Sequence, residues 1–371
     1  MGIKDTFVSL YIKKFVMPHS LVIDKPGFVN FNLSGKTSMF ARQVIMPESF
    51  LVGLESRLIS KFGDKGKQML YSLGKKFGYR FALIGNFIKR GDVPESELAE
   101  FVGIVSKFVE GTYASEISGD FDVPNSSIRY RLKNFIVISK LGYGYFLPVG
   151  GTAGLVARLF NDSSIEVINS SKDGEYDILE CAPLEKLKQK FSNLLVEDDL
   201  SGLEVEPEYA PVNQVQEISS ATSFKQLLDS GYFSYADGII KHGDQRYFLL
   251  EISGWYLLEK ELSKNAEAMN VLCECAIETG RDLPTTGSTA EICQILTATG
   301  WGNPMILSSS GKASVVMTHV PWTKYYLEVK FSILNGFLSG MLSRVYGREV
   351  RLKDPVVDFS TGQLSLQFDE A

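Results

Sequence analysis

Apolar positions along this chain recur with two periods, about 3.6 and 2, and blocks of one period alternate with blocks of the other. Residues 21–45 (LVIDKPGFVNFNLSGKTSMFARQVI) carry turn residues at Lys25-Pro26-Gly27 and Ser34-Gly35, which predicts a β-hairpin. Pro47-Glu48 opens a helix running to about Phe62, closed by Gly63-Asp64. In the next helix Leu70, Leu73, Phe77, Phe81, Ile84 and Ile88 share one face, with Lys65, Lys67, Lys75, Lys76 and Arg80 on its flanks and far side. A third helix starts near Pro94-Glu95 and carries Leu98, Phe101, Val102, Val105, Phe108 and Val109. After an expected loop at Gly119–Asn125, the run Ile128–Ile138 alternates like a strand. Pro148 suits the first turn of a helix continuing through Gly154 to Phe160. Short strands around Ile165–Ile168 and Tyr176–Leu179 flank a turn at Lys172-Asp173-Gly174.

Residues 192–222 are acidic, contain Pro207 and Pro211, and have no sustained period, so they read as a connector. The order then repeats. Asp237–Ile252 reads as a hairpin, followed by one long helix with Trp255, Leu258, Leu262, Ala266, Met269, Cys273 and Ala276 on one face. A shorter helix over Ser288–Thr299 ends at Gly300-Trp301-Gly302, and strands follow at Met305–Ser308 and Ala313–His319. A helix from Pro321 to Tyr346 leads into a strand pair, Glu349–Leu352 and Gln363–Phe368.

The last helix of each half aligns residue by residue. GGTAGLVARLF (Gly150–Phe160) matches GFLSGMLSRVY (Gly336–Tyr346), pairing Gly150 with Gly336, Gly154 with Gly340 and Arg158 with Arg344. Small residues four apart let another backbone approach closely. With the shared element order, this predicts an α+β protein of two tandem diverged copies, each a helical layer on a small antiparallel sheet. The boundaries are 1–190 for the first copy, 191–222 for the linker and 223–371 for the second.

Composition narrows the class. At 371 residues, with 44% hydrophobic and 22% charged, the chain is ordinary globular material long enough for two domains. A net charge of −6 argues against whole-surface attraction to nucleic acid or acidic lipid. The cysteines Cys181, Cys273, Cys275 and Cys293 include no C-x-x-C pair, and the first residues lack a cleavable apolar leader, so a reducing cytoplasm is expected. Gly2 and Thr6 match a myristoylation pattern, but that pattern is short. The uncharged run Leu141–Ala157 falls short of the ~20 residues of a membrane span and is interrupted by Pro148 and five glycines. No integral membrane segment is expected.

At NGFLSGMLSRVYGREVRL (Asn335–Leu352), preceded by the G-W-G helix end, and more weakly at GDKGKQMLYSLGKKFGYRFA (Gly63–Ala82), the chain resembles the 4-vinyl reductase domain family. That family shares its fold with heme nitric-oxide sensors and TRAPP-type trafficking subunits. The similar segments cover about a third of the chain, and their motifs are structural glycines. The resemblance implies sensing of aromatic or lipid-like molecules, or dimerisation as in TRAPP-type subunits. A reductase activity has only the family name behind it. Many such domains bind zinc through a cysteine-bearing terminal strand pair. Here Lys353–Phe368 contains no cysteine and Ile168–Ala182 only Cys181, too few for the about four ligands zinc takes.

No catalytic constellation accompanies this pattern. His19, His242 and His319 lie far apart, and no dinucleotide fingerprint, P-loop or nucleophile elbow is present. Cys273 and Cys275 face different sides of a helix, with Cys273 in phase with the apolar stripe. Basic residues between Lys61 and Arg90 read as a solvated face, with a nucleic-acid or lipid-headgroup stripe as the alternative. Aromatics mark candidate ligand-binding positions: Phe77 and Phe81 in the first copy, and Trp255, Trp301, Trp322, Tyr325 and Tyr326 in the second. The alternative for each is core packing. The expectation is therefore a non-enzymatic module without cofactor that binds a small hydrophobic ligand or a partner protein, with an adaptor or dimerisation role as the rival. A homodimer fits either reading, and nucleic acid is not an expected partner.

Overall fold

The computed structural model describes residues 21–22, 27, 29–31, 41–110, 113–186, 200, 222–236, 238–283, 287–309, 312–320, 328–358 and 363–369. The fold is mixed α+β, with small antiparallel sheets packed against helices. The described residues fall into two compact units. One holds those within 51–207 and 235–241, and the other those within 21–50, 208–234 and 242–371.

The first unit contains most of α1 (Glu48–Phe62), α2 (Asp64–Ile84), α3 (Glu95–Glu110), β4 (Glu116–Asp122), β5 (Ser127–Lys133), α4 (Thr152–Phe160), β6 (Ile165–Asp173) and β7 (Tyr176–Pro183). Its sheet runs β4-β5-β7-β6. Strand β4 takes in Gly119–Asp122, the first part of the segment expected to be a loop. It forms because Ile117 is buried and all seven of its residues pair with β5. Strand β5 stops at Lys133, short of the expected Ile138, because Asn134 and Val137 adopt positive φ of 51° and 66°. Before α4 the backbone makes a π-helical turn over Phe146–Gly151.

In the second unit, β1 (Leu21–Val22), β2 (Val29–Phe31) and β3 (Ala41–Pro47) from the chain's beginning form a sheet with β10 (Gln245–Glu251), in the order β1-β2-β3-β10. Five residue pairs join β3 to β10, from Tyr247↔Pro47 to Glu251↔Gln43. Upstream of β10 lie α5 (Phe224–Asp229), β8 (Ser234–Ala236) and β9 (Ile239–His242). Downstream come α6 (Ile252–Leu262), α7 (Ala266–Asp282), α8 (Thr289–Ala298), β11 (Asn303–Ser309), β12 (Lys312–Thr318), α9 (Ser332–Tyr346), β13 (Val356–Asp358) and β14 (Gln363–Asp369). Their sheet runs β11-β12-β14-β13, the same order of use as β4-β5-β7-β6.

Three expectations for this half change. The single long helix is two, because Asn265 caps a new N-terminus by accepting from the N–H groups of Glu267 and Ala268. The restart rotates the apolar stripe, so Cys275 is buried and Cys273 only partly so. The glycine helix begins at Ser332, with residues 321–327 outside the described ones. Residues 349–352 are not a strand, because side chains of α9 take their backbone groups. Ser343 and Ser339 accept from the N–H groups of Val350 and Leu352, and Asn335 donates to the carbonyls of Leu352 and Lys353. The strand forms later, at β13. The expected connector at 192–222 lies almost wholly outside the described residues.

In both units a pair of helices makes backbone-to-backbone contact through glycine. α2 packs on α4, and α7 packs on α9. A Cβ on Gly154 would overlap the Lys75 carbonyl, and one on Gly340 would overlap the Ile277 carbonyl. Gly78 meets the carbonyl of Gly151 in the first pair, as Gly280 meets that of Phe337 in the second. Only glycine admits such approach.

Candidate functional site

Trp301 sits between Gly300 and Gly302, whose φ values of 89° and 103° let the chain leave α8 and turn directly into β11. That turn points the indole inward. It is 1% exposed, stacks on Phe337 at 5.4 Å and 22°, and lies 5.7 Å from Trp255. Phe50 completes the cluster, 5.5 Å from Trp255. The Trp301 N–H is directed at the Ile45 carbonyl at 3.4 Å, and the Ile45 N–H donates to Thr299 at 2.9 Å. Trp301 therefore anchors β3 within the second unit. Arg42, on the same strand, donates to the carbonyls of Gly27, Gly300 and His319.

Phe77 and Phe81 are also buried, 6.0 Å apart. Phe77 lies against Phe146 and Phe81 against Phe87, which continues to Phe101. These rings fill the space between helices. The structure does not gather the aromatic candidates around an opening, and Trp322, Tyr325 and Tyr326 lie outside the described residues.

The openings are elsewhere. In the first unit an open cleft of about 710 Å³ runs between α3 and the sheet, lined by Ala99, Gly103, Ile104 and Phe121, with Arg131 and Tyr176 at one side. In the second unit a groove of about 890 Å³ lies between α7 and the end of α9. Its lining is ionic, with Arg281, Arg344 and Arg351 among Glu274, Glu278 and Glu349.

The basic face expected on α2 is partly interior. Lys75 and Arg80 are buried, while Lys67 pairs with Asp64 at the surface. The Lys75 ammonium donates to Glu166 and to the Ser163 carbonyl, and the Tyr71 hydroxyl donates to the other Glu166 oxygen while accepting from Val167 N–H. Burial and the Glu166 charge together push the Tyr71 phenol well up. Cys181 is buried near this network, and burial raises its thiol far above the ordinary range. Among the described residues no group of three or more His, Cys, Asp and Glu side chains is placed to hold a metal ion. None of their helices is long and apolar enough to cross a membrane.

Two residues that periodicity alone passes over stand out. Glu55 of α1 is fully buried, and its two oxygens accept from the N–H groups of Tyr145 and Phe146, each at 2.9 Å. Glu259 of α6 does the same to Ser332 and Ile333, each at 2.9 Å. Each carboxyl thus clamps the chain at the entry to its unit's glycine helix, Glu55 at the π-helical turn that leads into α4 and Glu259 at the first residues of α9. Burial pushes both up to about 7, against the opposing pull of the backbone N–H groups. A signal was present in the sequence. Leu51, Leu54, Glu55 and Leu58 repeat the spacing of Trp255, Leu258, Glu259 and Leu262, placing a carboxylate in phase with each apolar stripe.

The two sheets differ in their outer faces. In the first unit that face is ionic, with Arg129 paired to Glu180, Arg131 to Asp173, and Lys133 to Glu116 and Glu175. In the second, the row Met305–Val316–Ser365–Val356 crosses all four strands without a charge, and Leu307–Ser314–Gln367 runs beside it. Met305, Leu307 and Val356 are 50%, 51% and 67% exposed. No known protein family matches the chain, and no curated protein does.

Proposed function

We propose that this chain is a non-enzymatic adaptor built from two diverged copies of one α+β module, and that it acts through protein contact. The module resembles the 4-vinyl reductase domain family and the TRAPP-type subunits that share its fold. The observation carrying the adaptor reading is the pair of uncharged rows on the outer face of the β11-β12-β14-β13 sheet, with Lys312, Asp358 and Asp369 only at its edge, set against the ion-paired face of its counterpart. Charge-depleted, apolar rows on an exposed face suit the centre of an interface. The occupant that fits is a second copy of this chain, since two uncharged rows meet without like-charge repulsion. Sedimentation of the intact protein over a range of concentrations tests this. A dimer that dissociates on Leu307→Asp or Met305→Asp, with unchanged helicity, supports it. A monomer at every concentration removes the second copy as occupant.

The cleft between α3 and the first sheet favours a second reading, binding of a small ligand with an apolar body. Native mass spectrometry of the purified protein, compared with its denatured mass, distinguishes the two by the presence of a bound apolar molecule.

A further inference from the structure

Glu55 and Glu259 occupy matching places in helices that precede matching glycine helices, and each spends both oxygens on backbone N–H groups. Neither has a cationic side chain as its partner among the described residues. Glu55 faces the half-buried Tyr145 phenol, which in turn feels Lys67 and Asp64 of α2. Glu259 faces the Cys273 thiol of α7, itself held up by burial and by this carboxyl, and it also receives the backbone N–H of Lys330. An ionised carboxylate in such a place gives up its hydration, and two or three backbone N–H donors replace only part of it. A neutral carboxylic acid keeps the packing without the buried charge. The helix start can relieve that charge by moving aside and letting water reach the carboxylate.

We propose that Glu55 and Glu259 are paired pH-responsive clamps, each holding the start of its glycine helix shut in mild acid and easing its hold as pH rises through neutrality. The linkage sign supports this. The closed form holds the carboxyl proton more tightly than an opened, solvated form, so lowering pH favours closure and raising it favours opening. Because burial lifts both groups to about 7, the change falls between ordinary carboxylate titration and neutrality. The two clamps lie in different units, so each serves as a control for the other.

Amide hydrogen exchange of the intact protein tests the proposal, with rates corrected for the intrinsic effect of pH. Opening of segments 145–150 and 332–336 should increase about tenfold from pH 6 to pH 8. Glu55→Gln should flatten the response of the first segment and leave that of the second, and Glu259→Gln should do the reverse. A flat profile in the unsubstituted protein overturns the proposal, as does a response that survives at the substituted clamp. Should either glutamine variant fail to fold, carboxyl-carbon NMR titration of the unsubstituted protein decides. Midpoints near 7 support the clamps, and midpoints in the ordinary glutamate range overturn them.

Discussion

Lys75 of α2 and Glu166 of β6 form an ion pair inside the first unit, their side chains only 3% and 6% exposed. The second unit has an apolar residue in that place. Ile277 has its carbonyl packed against Gly340 as Lys75 has its own packed against Gly154. The same position on two matching helices thus carries either a buried cation paired to a strand or a half-buried hydrocarbon side chain.

Removing one member of this pair leaves the other charge stranded. Lys75→Met alone should cost about 3–5 kcal/mol in urea unfolding. Lys75→Met combined with Glu166→Leu should recover most of that loss. A double variant as unstable as the single one would show that Tyr71, bonded to the same carboxylate, needs Glu166 for its own burial.

Gly154→Leu and Gly340→Leu should each be destabilising by about 1–3 kcal/mol, since the added Cβ alone already overlaps backbone of the partner helix. Thermal melts of the two variants measure this. A neutral outcome at either site would mean that the helix pair there can separate without loss.

Trp301→Ala should cost about 3–5 kcal/mol, as removal of a large core ring does, and also free β3 from its Ile45 anchor. Hydrophobic ligands should leave the tryptophan fluorescence unchanged. Chemical denaturation and a fluorescence titration check the two parts. Quenching by an apolar ligand would return the indole cluster to the list of binding sites.

The pH profile of global stability follows from the same two glutamates. Their native pKa values, about 7, lie above the unfolded value of 4.5. Their favourable contribution is therefore complete below about pH 4.5, declines as pH rises, and is lost above about 7. The total change should be on the order of a few kcal/mol per site. Urea midpoints at pH 5, 6, 7 and 8 should fall and then level, and Glu55→Gln should make the fall shallower.

The α+β class, most of the helices and strands, and the glycine spacing of α4 and α9 could be read from the sequence, because periods of 3.6 and 2 and close-packing glycines are written locally; β4, expected in part as a loop, could not. The sequence also held the spacing around Glu55 and Glu259, legible only when the two halves are compared. Helix restarts and strand ends were less legible. Asn265 splitting α6 from α7, Val137 at positive φ, and Ser339 and Ser343 capturing residues 350–352 depend on single hydrogen bonds and dihedrals that leave the hydrophobic pattern intact. Long-range packing alone sets the pairing of β3 with β10 about two hundred positions away, the inward turn of Lys75 and Arg80, and the bond from Trp301 to Ile45. An amphipathic stripe states that a side chain needs cover. Which distant backbone supplies it, and whether a charge beside it finds a buried partner, is settled by long-range packing that no local window contains.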